Sequence, residues 1–505
     1  MSSFSRNSVL NLIFNYSNIA FNLVVGVFLV PFYLRSISLD TYGSYLVSAG
    51  VAALIGLLEF GLSMVITQRL AKSYAQSDWP AFRQTVHAGI VAASLLFLAT
   101  CFVIALTATQ IGSLARIGVE HASDLQMAFV LQGLAAGASI YLNLFGSVFQ
   151  ALLRAGTLGT VNLLSASVGV IAVVATFSLH PSLVAISVGP LARATCAAIL
   201  LLFSAIYAMH KLSLLPQRAP AGAALQLLRS CGPIFLGGVA KSLAENAQNM
   251  LLVNAVSPTA VAVLALTQKA LQVCNMVLAP IGSSIYSNLT QIREKSSARY
   301  FSSLLGIAIR SHFLLSAILV ATACTFNEVF VSLWVGQDKF GGVVLSLLLG
   351  VAMLITTRFS FFSYLIYATG EFKRPLALET SYSVTKTLIL FAVVGKWGLY
   401  AIPVADAAAG FIFLYCISTR LMVPHLAQSS FGSGIYYRGW LEFATLSASG
   451  YLAARWLLAT HRSWPALTAG ILAFLLLAFL VVLIFNTAFV KNAIGFRRKS
   501  ELALG

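Results

Sequence analysis

Long apolar stretches follow one another from Asn11 to Phe489, and only short polar gaps separate them. A helix needs about 20 apolar residues to cross the hydrocarbon core of a bilayer, and each stretch is near that length. The pattern therefore predicts an all-α polytopic membrane protein with about fourteen transmembrane helices. The predicted spans are 11–34, 42–66, 86–108, 125–149, 160–178, 184–207, 232–254, 261–286, 304–326, 343–366, 376–395, 398–421, 440–459 and 466–489.

The composition excludes several functional classes. Of the 505 residues, 59% are hydrophobic and 9% are charged, whereas soluble domains average about 25% charged residues. A soluble enzyme, a nucleic-acid-binding module and a secreted disulfide scaffold are therefore excluded. The six cysteines are scattered singly, and no Cys/His cluster has the spacing of metal ligands. Neither a Walker loop nor a catalytic His arrangement is present, so we predict a non-enzyme without metal or cofactor.

The Lys and Arg distribution orients the spans. The 31 Lys and Arg exceed the 14 Asp and Glu, for a net charge of +17. With a cytoplasmic N-terminus, most basic residues fall on the inner side, including the tail Arg497-Arg498-Lys499. The positive-inside rule therefore predicts cytoplasmic termini at a bacterial inner membrane, with the excess charge against anionic lipid rather than nucleic acid. The basic residues on the outer side are Arg35, Arg116, Lys339, Lys396 and Arg462.

Span number and spacing predict an internal repeat. Spans one to six and seven to twelve have similar lengths, and the longest inner link, Met209–Ser230, separates them. Six spans per half give both halves the same orientation, as in parallel repeats about an axis along the membrane normal. The predicted organisation is an N-terminal six-helix lobe at 1–208, a cytoplasmic linker at 209–231, a C-terminal six-helix lobe at 232–423, and two further helices with a basic tail at 424–505.

Ionisable side chains inside the spans are the main candidates for function. A charge at the bilayer centre costs about 2.5–3.5 kcal/mol, so it is rare unless it faces a wet cavity or a partner. Most such residues lie in the second half. The basic candidates are Lys241, Lys269, Lys386, Arg358 and Arg193, and the acidic candidates are Glu245, Glu379, Asp406 and Glu59.

The lysines near mid-span allow two interpretations. Lys241, Lys269 and Lys386 lie on separate helices and would together form a cationic cavity suited to a phosphate-bearing substrate. Alternatively, Lys241 pairs with Glu245 one turn along its own helix. Lys386 would likewise pair with Glu379 on the same helix face.

Two arginines of the second half have an alternative role at the membrane surface. Arg310 and Arg358 would extend their guanidinium groups to the inner surface by snorkelling. Arg358 is also a candidate for substrate binding, because it lies within a predicted span.

Asparagines form a stripe on the first span. Asn7, Asn11, Asn15, Asn18 and Asn22 follow at steps of four, four, three and four, which places them on one helix face. The stripe either forms interhelical hydrogen bonds or lines a channel for a hydroxyl-rich sugar. The sequence leaves both interpretations open.

Short motifs resemble one transporter family. The stretches VPFYL at 30–34, DTYG at 40–43, LLEFGL at 57–62 and QRLA at 68–71 look like the opening of bacterial polysaccharide flippases of the Wzx type. ATGE at 368–371 and WGLYAI at 397–402 look like the family's link before span twelve. These flippases belong to the multidrug/oligosaccharidyl-lipid/polysaccharide exporter superfamily.

The resemblance implies a fold and a function. Two six-helix lobes would form a V whose central cavity opens alternately to each side. The substrate would be an undecaprenyl-pyrophosphate-linked oligosaccharide, moved to the outer leaflet for O-antigen or exopolysaccharide synthesis. A polysaccharide polymerase and a chain-length regulator would be partners. Lys241, Lys269 and Lys386 would then offset pyrophosphate charge, and Arg358 and Arg193 would also bind the substrate. Asn11, Asn15, Asn18 and Asn22 would bind sugar, and Glu245, Glu379, Glu59 and Asp406 are candidates for ion coupling.

Three alternatives remain. A drug/cation antiporter of the same superfamily needs a cavity rich in carboxylates, which the basic excess disfavours. A lipid II flippase shares the fourteen spans and a cationic cavity. A membrane polysaccharide polymerase or ligase needs a substantial outer loop, whereas the longest outer links, 109–124 and 327–342, have only about sixteen residues.

Overall fold

The computed structural model describes residues 3–59, 61–152, 154–295, 297–371, 373–418, 440–450 and 463–485. These residues are almost entirely helical and contain no strand, which confirms the all-α polytopic fold. Within them, nine helices are long and apolar enough to cross a membrane, or ten if one bent pair counts as a single span. All fourteen predicted spans fall wholly or partly on helical segments, so the predicted number is consistent with the structure.

The chain forms two compact units, residues 1–262 and 263–505. In the first unit, α6 packs along α8 and also contacts α2, α3 and α4, while α1 packs on α7. Ser38, Asp78 and Ser182 accept hydrogen bonds from the first turns of α2, α4 and α8, which is the usual role of an N-cap. The helices are α1 Ser3–Leu34, α2 Leu39–Gly56, α3 Leu62–Ala75, α4 Trp79–Thr107, α5 Ile111–Leu114, α6 Ala122–Ala151, α7 Ala155–Leu179, α8 Leu183–Lys211 and α9 Ala223–Ala255.

In the second unit, α13 packs against α11, α12 and α15, and α14 packs on α15. The last described helix lies on α12, where the Phe330 ring contacts Trp464 and the Phe326 ring contacts Phe474. The helices are α10 Pro258–Thr267, which crosses the unit boundary, α11 Lys269–Lys295, α12 Ala298–Trp334, α13 Val343–Tyr367, α14 Lys373–Trp397, α15 Ala401–Cys416, the segment 440–450, and Trp464–Phe485.

Two of the predicted spans are broken. The second span comprises α2, a single 3₁₀ turn at Leu57–Glu59, and α3, and Gly61 at the break has a left-handed φ of 67°. The eighth span comprises α10 and α11, which meet at an angle of 52°. In the predicted six-plus-six arrangement these are the second spans of the two halves. Interrupted helices at corresponding positions of two repeats indicate a transporter's binding region.

The boundary between the two units, after residue 262, lies later in the chain than the predicted linker at 209–231. Helix α9, the predicted seventh span, packs on α2, α3 and α4 within the first unit. The organisation into lobes at 1–208 and 232–423, a linker at 209–231 and two further helices at 424–505 stays a prediction.

Candidate functional site

Glu59 lies at the break between α2 and α3. Its Oε2 accepts a hydrogen bond from Nδ2 of Asn143 on α6, at 2.7 Å. Its Oε1 is buried and has no hydrogen-bond partner in the described part of the chain. The break thus places a carboxylate inside the first unit with one oxygen still able to accept a hydrogen bond or bind a cation.

A cavity of about 380 Å³ lies beside this carboxylate, between α3, α6 and α7. Asn143 belongs to both features, because it contacts Glu59 and also lines the cavity. Helix α3 is held in place by Leu62, Ile66 and Leu70, which are fully buried at a spacing of four residues. The polar residues that line the cavity are Ser63, Thr67, Gln68, Asn143, Gln150 and Asn162.

Arg193 and the asparagine stripe meet in the first unit. Nη1 of Arg193 on α8 donates a hydrogen bond to Oδ1 of Asn22 on α1, at 2.8 Å, and Asn22 donates in turn to the backbone oxygen of Asn18. The Arg193–Asn22 bond joins two helices, as one interpretation of the stripe requires. The side chains of Asn11 and Asn15 lie outside the described residues. Arg193 forms no ion pair among the residues that the structure describes.

Lys269 is the first residue of α11, directly after the bend in the eighth span. A bend leaves backbone carbonyls without helical partners, and the buried Asn327 donates to one of them, the oxygen of Thr267, at 2.7 Å. The same amide donates to Ser346 on α13, which fixes the bend against two helices. Lys269 is half-buried and pairs with no described carboxylate. Its role in substrate binding stays a prediction.

Lys386 pairs with a different carboxylate from the one that the sequence suggested. Its Nζ lies 2.7 Å from Oδ1 of Asp406 on α15, and the Tyr382 hydroxyl donates to the same oxygen at 3.0 Å. The intrahelical Lys386–Glu379 pair is wrong, because seven residues separate the two side chains by about 10 Å along the axis, whereas α15 packs directly on α14. Glu379 instead accepts a hydrogen bond from the Tyr367 hydroxyl.

Arg358 does not snorkel. It is 1% exposed, and its guanidinium carbon lies 4.4 Å from the ring centres of both Phe313 and Trp440. None of its three nitrogens has a hydrogen-bond partner among the described residues. The surface position predicted for Arg358 is therefore wrong, because two aromatic rings enclose the cation through cation–π contacts.

Arg310 does not snorkel either. Its two terminal nitrogens donate to the two carboxylate oxygens of Glu442, with Nη1 and Oε2 3.0 Å apart. Arg310 is buried on α12, and Glu442 lies in the helical segment 440–450. Because the Glu442 carboxylate of the thirteenth predicted span neutralises the Arg310 guanidinium, the arginine can stay buried and does not need to reach water.

The remaining candidates lie on α9. The side chain of Lys241 falls outside the described residues, and Glu245 is exposed. The cationic cavity of Lys241, Lys269 and Lys386 therefore stays a prediction. Among the described residues, no group of three or more His, Cys, Asp or Glu side chains could hold a metal ion.

Sequence reasoning missed Asn143, Asn327, Tyr382 and Glu442. Asn143, Tyr382 and Glu442 were detectable as polar side chains within predicted apolar spans, by the same argument that selected the charged residues. What each of them contacts depends on helix packing, which hydropathy does not report.

Comparison with known proteins gives the fold. No family model matches the chain, and no curated protein matches it. Among solved structures, the lipid II flippase MurJ in an inward closed conformation superposes with a TM-score of 0.71 at 13% identity, covering 96% of this chain and 100% of that one. An inward-facing multidrug resistance MATE family transporter of the MOP superfamily gives 0.62 at 14% identity, covering 84% and 99%.

The chain shares the fold of these transporters. A further MATE structure, in complex with MaD3S, gives a TM-score of 0.58 at 15% identity and covers 83% of this chain. Lipid II flippases and multidrug exporters are two of the alternatives that the sequence left open. At such low identities the likeness establishes architecture, and the substrate has to be inferred from chemistry.

Proposed function

We propose that the protein flips undecaprenyl-pyrophosphate-linked oligosaccharide repeat units from the cytoplasmic to the outer leaflet of a bacterial inner membrane by alternating access. The product would serve surface polysaccharide synthesis, where a polymerase and a chain-length regulator are the expected partners. The protein itself catalyses no covalent step in this proposal.

The extent of the structural match carries the proposal. The flippase covers 96% of this chain, whereas the two MATE structures cover 83–84% although nearly their whole length is matched. The difference of 12–13% corresponds to about 61–66 of the 505 residues. This larger shared extent supports a flippase over a drug exporter.

The buried chemistry supports a substrate with an anionic and a sugar part. The polyprenyl tail can stay in lipid while only the pyrophosphate and the sugars pass through the protein. Lys269 and Arg193 are half-buried cations inside predicted spans and have no described carboxylate partner, and each is a candidate to offset pyrophosphate charge. Glu59 has an oxygen that could take up a proton or a sodium ion, and coupling requires that this uptake differ between the inward and outward states.

The experiment is deletion of the gene combined with reconstitution. In the deletion strain, undecaprenyl-linked repeat units should accumulate on the cytoplasmic leaflet. Proteoliposomes with the purified protein should expose undecaprenyl-pyrophosphoryl oligosaccharide on the opposite leaflet, and protein-free vesicles should not. Normal surface glycan in the deletion strain, with no translocation in vesicles, would refute the proposal.

Lipid II is the second candidate substrate, because the structural match covers 96% of this chain and all of MurJ. Expression in cells depleted of their lipid II flippase separates the two candidates. Restored growth would favour lipid II, whereas failure to restore growth with translocation of other repeat units would favour the polysaccharide pathway. Transport of an organic cation by the same proteoliposomes would instead indicate a drug antiporter.

A further inference from the structure

The cavity of the first unit has an unusual lining. Its polar residues are hydroxyls and amides, and none of the residues that line it is ionisable. Its volume of about 380 Å³ lies within the roughly 300–1,000 Å³ range of small-molecule sites. The cavity is therefore large enough for a ligand and offers it hydrogen bonds without charge.

Four polar side chains of this lining have no hydrogen-bond partner in the described part of the chain. The side chains of Thr67, Gln68, Gln150 and Asn162 make no hydrogen bond within the described residues. Each amide offers one acceptor and two donors, and the hydroxyl offers both kinds. A ligand that alternates donors and acceptors on neighbouring atoms matches such a set.

Asn143 is the fixed member of the lining. Because its Nδ2 donates to Glu59 at 2.7 Å, the side-chain amide is held in one orientation at the cavity wall. Leu142 and Leu158 add apolar surface beside it. A pyranose ring presents both kinds of surface, since its hydroxyls bond to amides and its C–H faces pack on aliphatic side chains.

We propose that this cavity, between α3, α6 and α7, is a subsite for one neutral sugar residue of the translocated substrate. An anionic group is disfavoured because no cation lines the cavity, and an organic cation is disfavoured because no carboxylate lines it. The inference rests on the proposed function and assigns the sugar to the first unit. The pyrophosphate binds elsewhere.

Gly146 gives the sharpest test. It lines the cavity, and an added Cβ would lie 3.5 Å from Cδ1 of Leu158, an ordinary contact, so the backbone at this position accepts a side chain. Gly146→Leu fills the cavity. Gly156 on α7 has open space around its missing side chain, so Gly156→Leu controls for the added bulk.

A second variant removes an amide without adding bulk. Asn162→Leu deletes a lining amide that makes no side-chain hydrogen bond to any described residue, so no described partner is left unsatisfied. Asn254→Leu on α9 is its control, because the Asn254 amide donates to the carbonyl of Met250 on its own helix and to no other described residue.

The measurement is the ratio of two dissociation constants for the full-length protein in nanodiscs. The probes are undecaprenyl pyrophosphate and undecaprenyl-pyrophosphoryl-glucose. We expect the wild type to bind the glucose-bearing lipid about tenfold more tightly. Gly146→Leu and Asn162→Leu should reduce the ratio to below twofold, and the two controls, Gly156→Leu and Asn254→Leu, should preserve it.

The outcomes separate the subsite from the proposed function. A ratio near one in the wild type, or an unchanged ratio in both Gly146→Leu and Asn162→Leu, overturns the subsite whether or not the protein translocates. The expected ratios together with absent translocation in proteoliposomes would support the subsite and refute the flippase function.

Discussion

At the scale of single residues, the Lys386–Asp406 pair joins α14 to α15 and is largely buried. Removing one partner of a buried pair leaves the other charge unpaired, which costs about 3–5 kcal/mol. We therefore expect Asp406→Asn to lower the free energy of unfolding of the purified protein by that amount. Adding Lys386→Met to this variant should recover most of the loss, because no buried charge remains. Equal stability of the single and double variants would contradict the pair's importance.

Gly43 on α2 packs directly against the backbone of Pro258, the first residue of α10. A Cβ at this position would overlap the carbonyl oxygen of Pro258. We expect Gly43→Ala to destabilise the protein by about 1–3 kcal/mol, as overpacking does. The control is Gly395→Ala on α14, where the site is open and alanine should stabilise the helix by about 0.5–1 kcal/mol. Thermal unfolding in detergent measures both, and shifts in the same direction would disprove the close contact.

Residue-level chemistry was only partly predictable from the sequence. The location of Glu59, Lys386 and Arg358 within apolar spans followed from hydropathy, because a charge inside an apolar span is visible in the sequence. Their partners did not follow. Glu442 lies 132 residues from Arg310, and only the packing of the thirteenth predicted span on α12 brings the two together.

At the scale of elements, the broken second span depends on Gly61. Its φ of 67° is in the left-handed region, where a residue with a Cβ loses about 1–2 kcal/mol. Gly61→Ala should therefore lower the free energy of unfolding by that amount, or straighten the span and impair transport. Gly56→Ala is the matched control at the same break, because its Cβ would meet only Ala136 at 3.7 Å. Unfolding curves and translocation rates that are equal for the two variants would contradict a role for the break.

The elements themselves were the most predictable part of the molecule. A run of about 20 apolar residues has few alternatives to a membrane helix, and the described part of every predicted span is almost entirely helical. The two breaks were not predicted. Hydropathy averages over a window and does not register a single left-handed glycine or the amide of Asn327 bonded to a carbonyl at a bend.

At the scale of the whole molecule, the proposed transport depends on a cation at the second break. Lys269→Ala should reduce translocation of undecaprenyl-pyrophosphoryl oligosaccharide in proteoliposomes by about tenfold, equivalent to roughly 1.4 kcal/mol. Folding should be unaffected, because Lys269 pairs with no described carboxylate. Lys269→Arg should keep much of the rate, and Lys396→Ala, at the exposed end of α14, is the control for charge. An undiminished rate in Lys269→Ala would remove this lysine from the site.

The fold can be predicted from the sequence, whereas the residues that line a binding site cannot. The fold is shared with proteins of only 13–15% identity, since apolar helices of the right length and order suffice to specify it. The cavity of the first unit arises from side chains on three separate helices, so its lining emerges only when α3, α6 and α7 are placed together.

The salt bridge between Arg310 and Glu442 bears on how the chain could be trimmed. Deleting residues 424–505, the two further helices of the predicted organisation, would remove both Glu442 and Trp440 and would leave Arg310 and Arg358 without these contacts. We therefore expect that removing these helices destabilises the protein. Ancestral reconstructions that gain or lose these helices should change Arg310 and Arg358 in the same step.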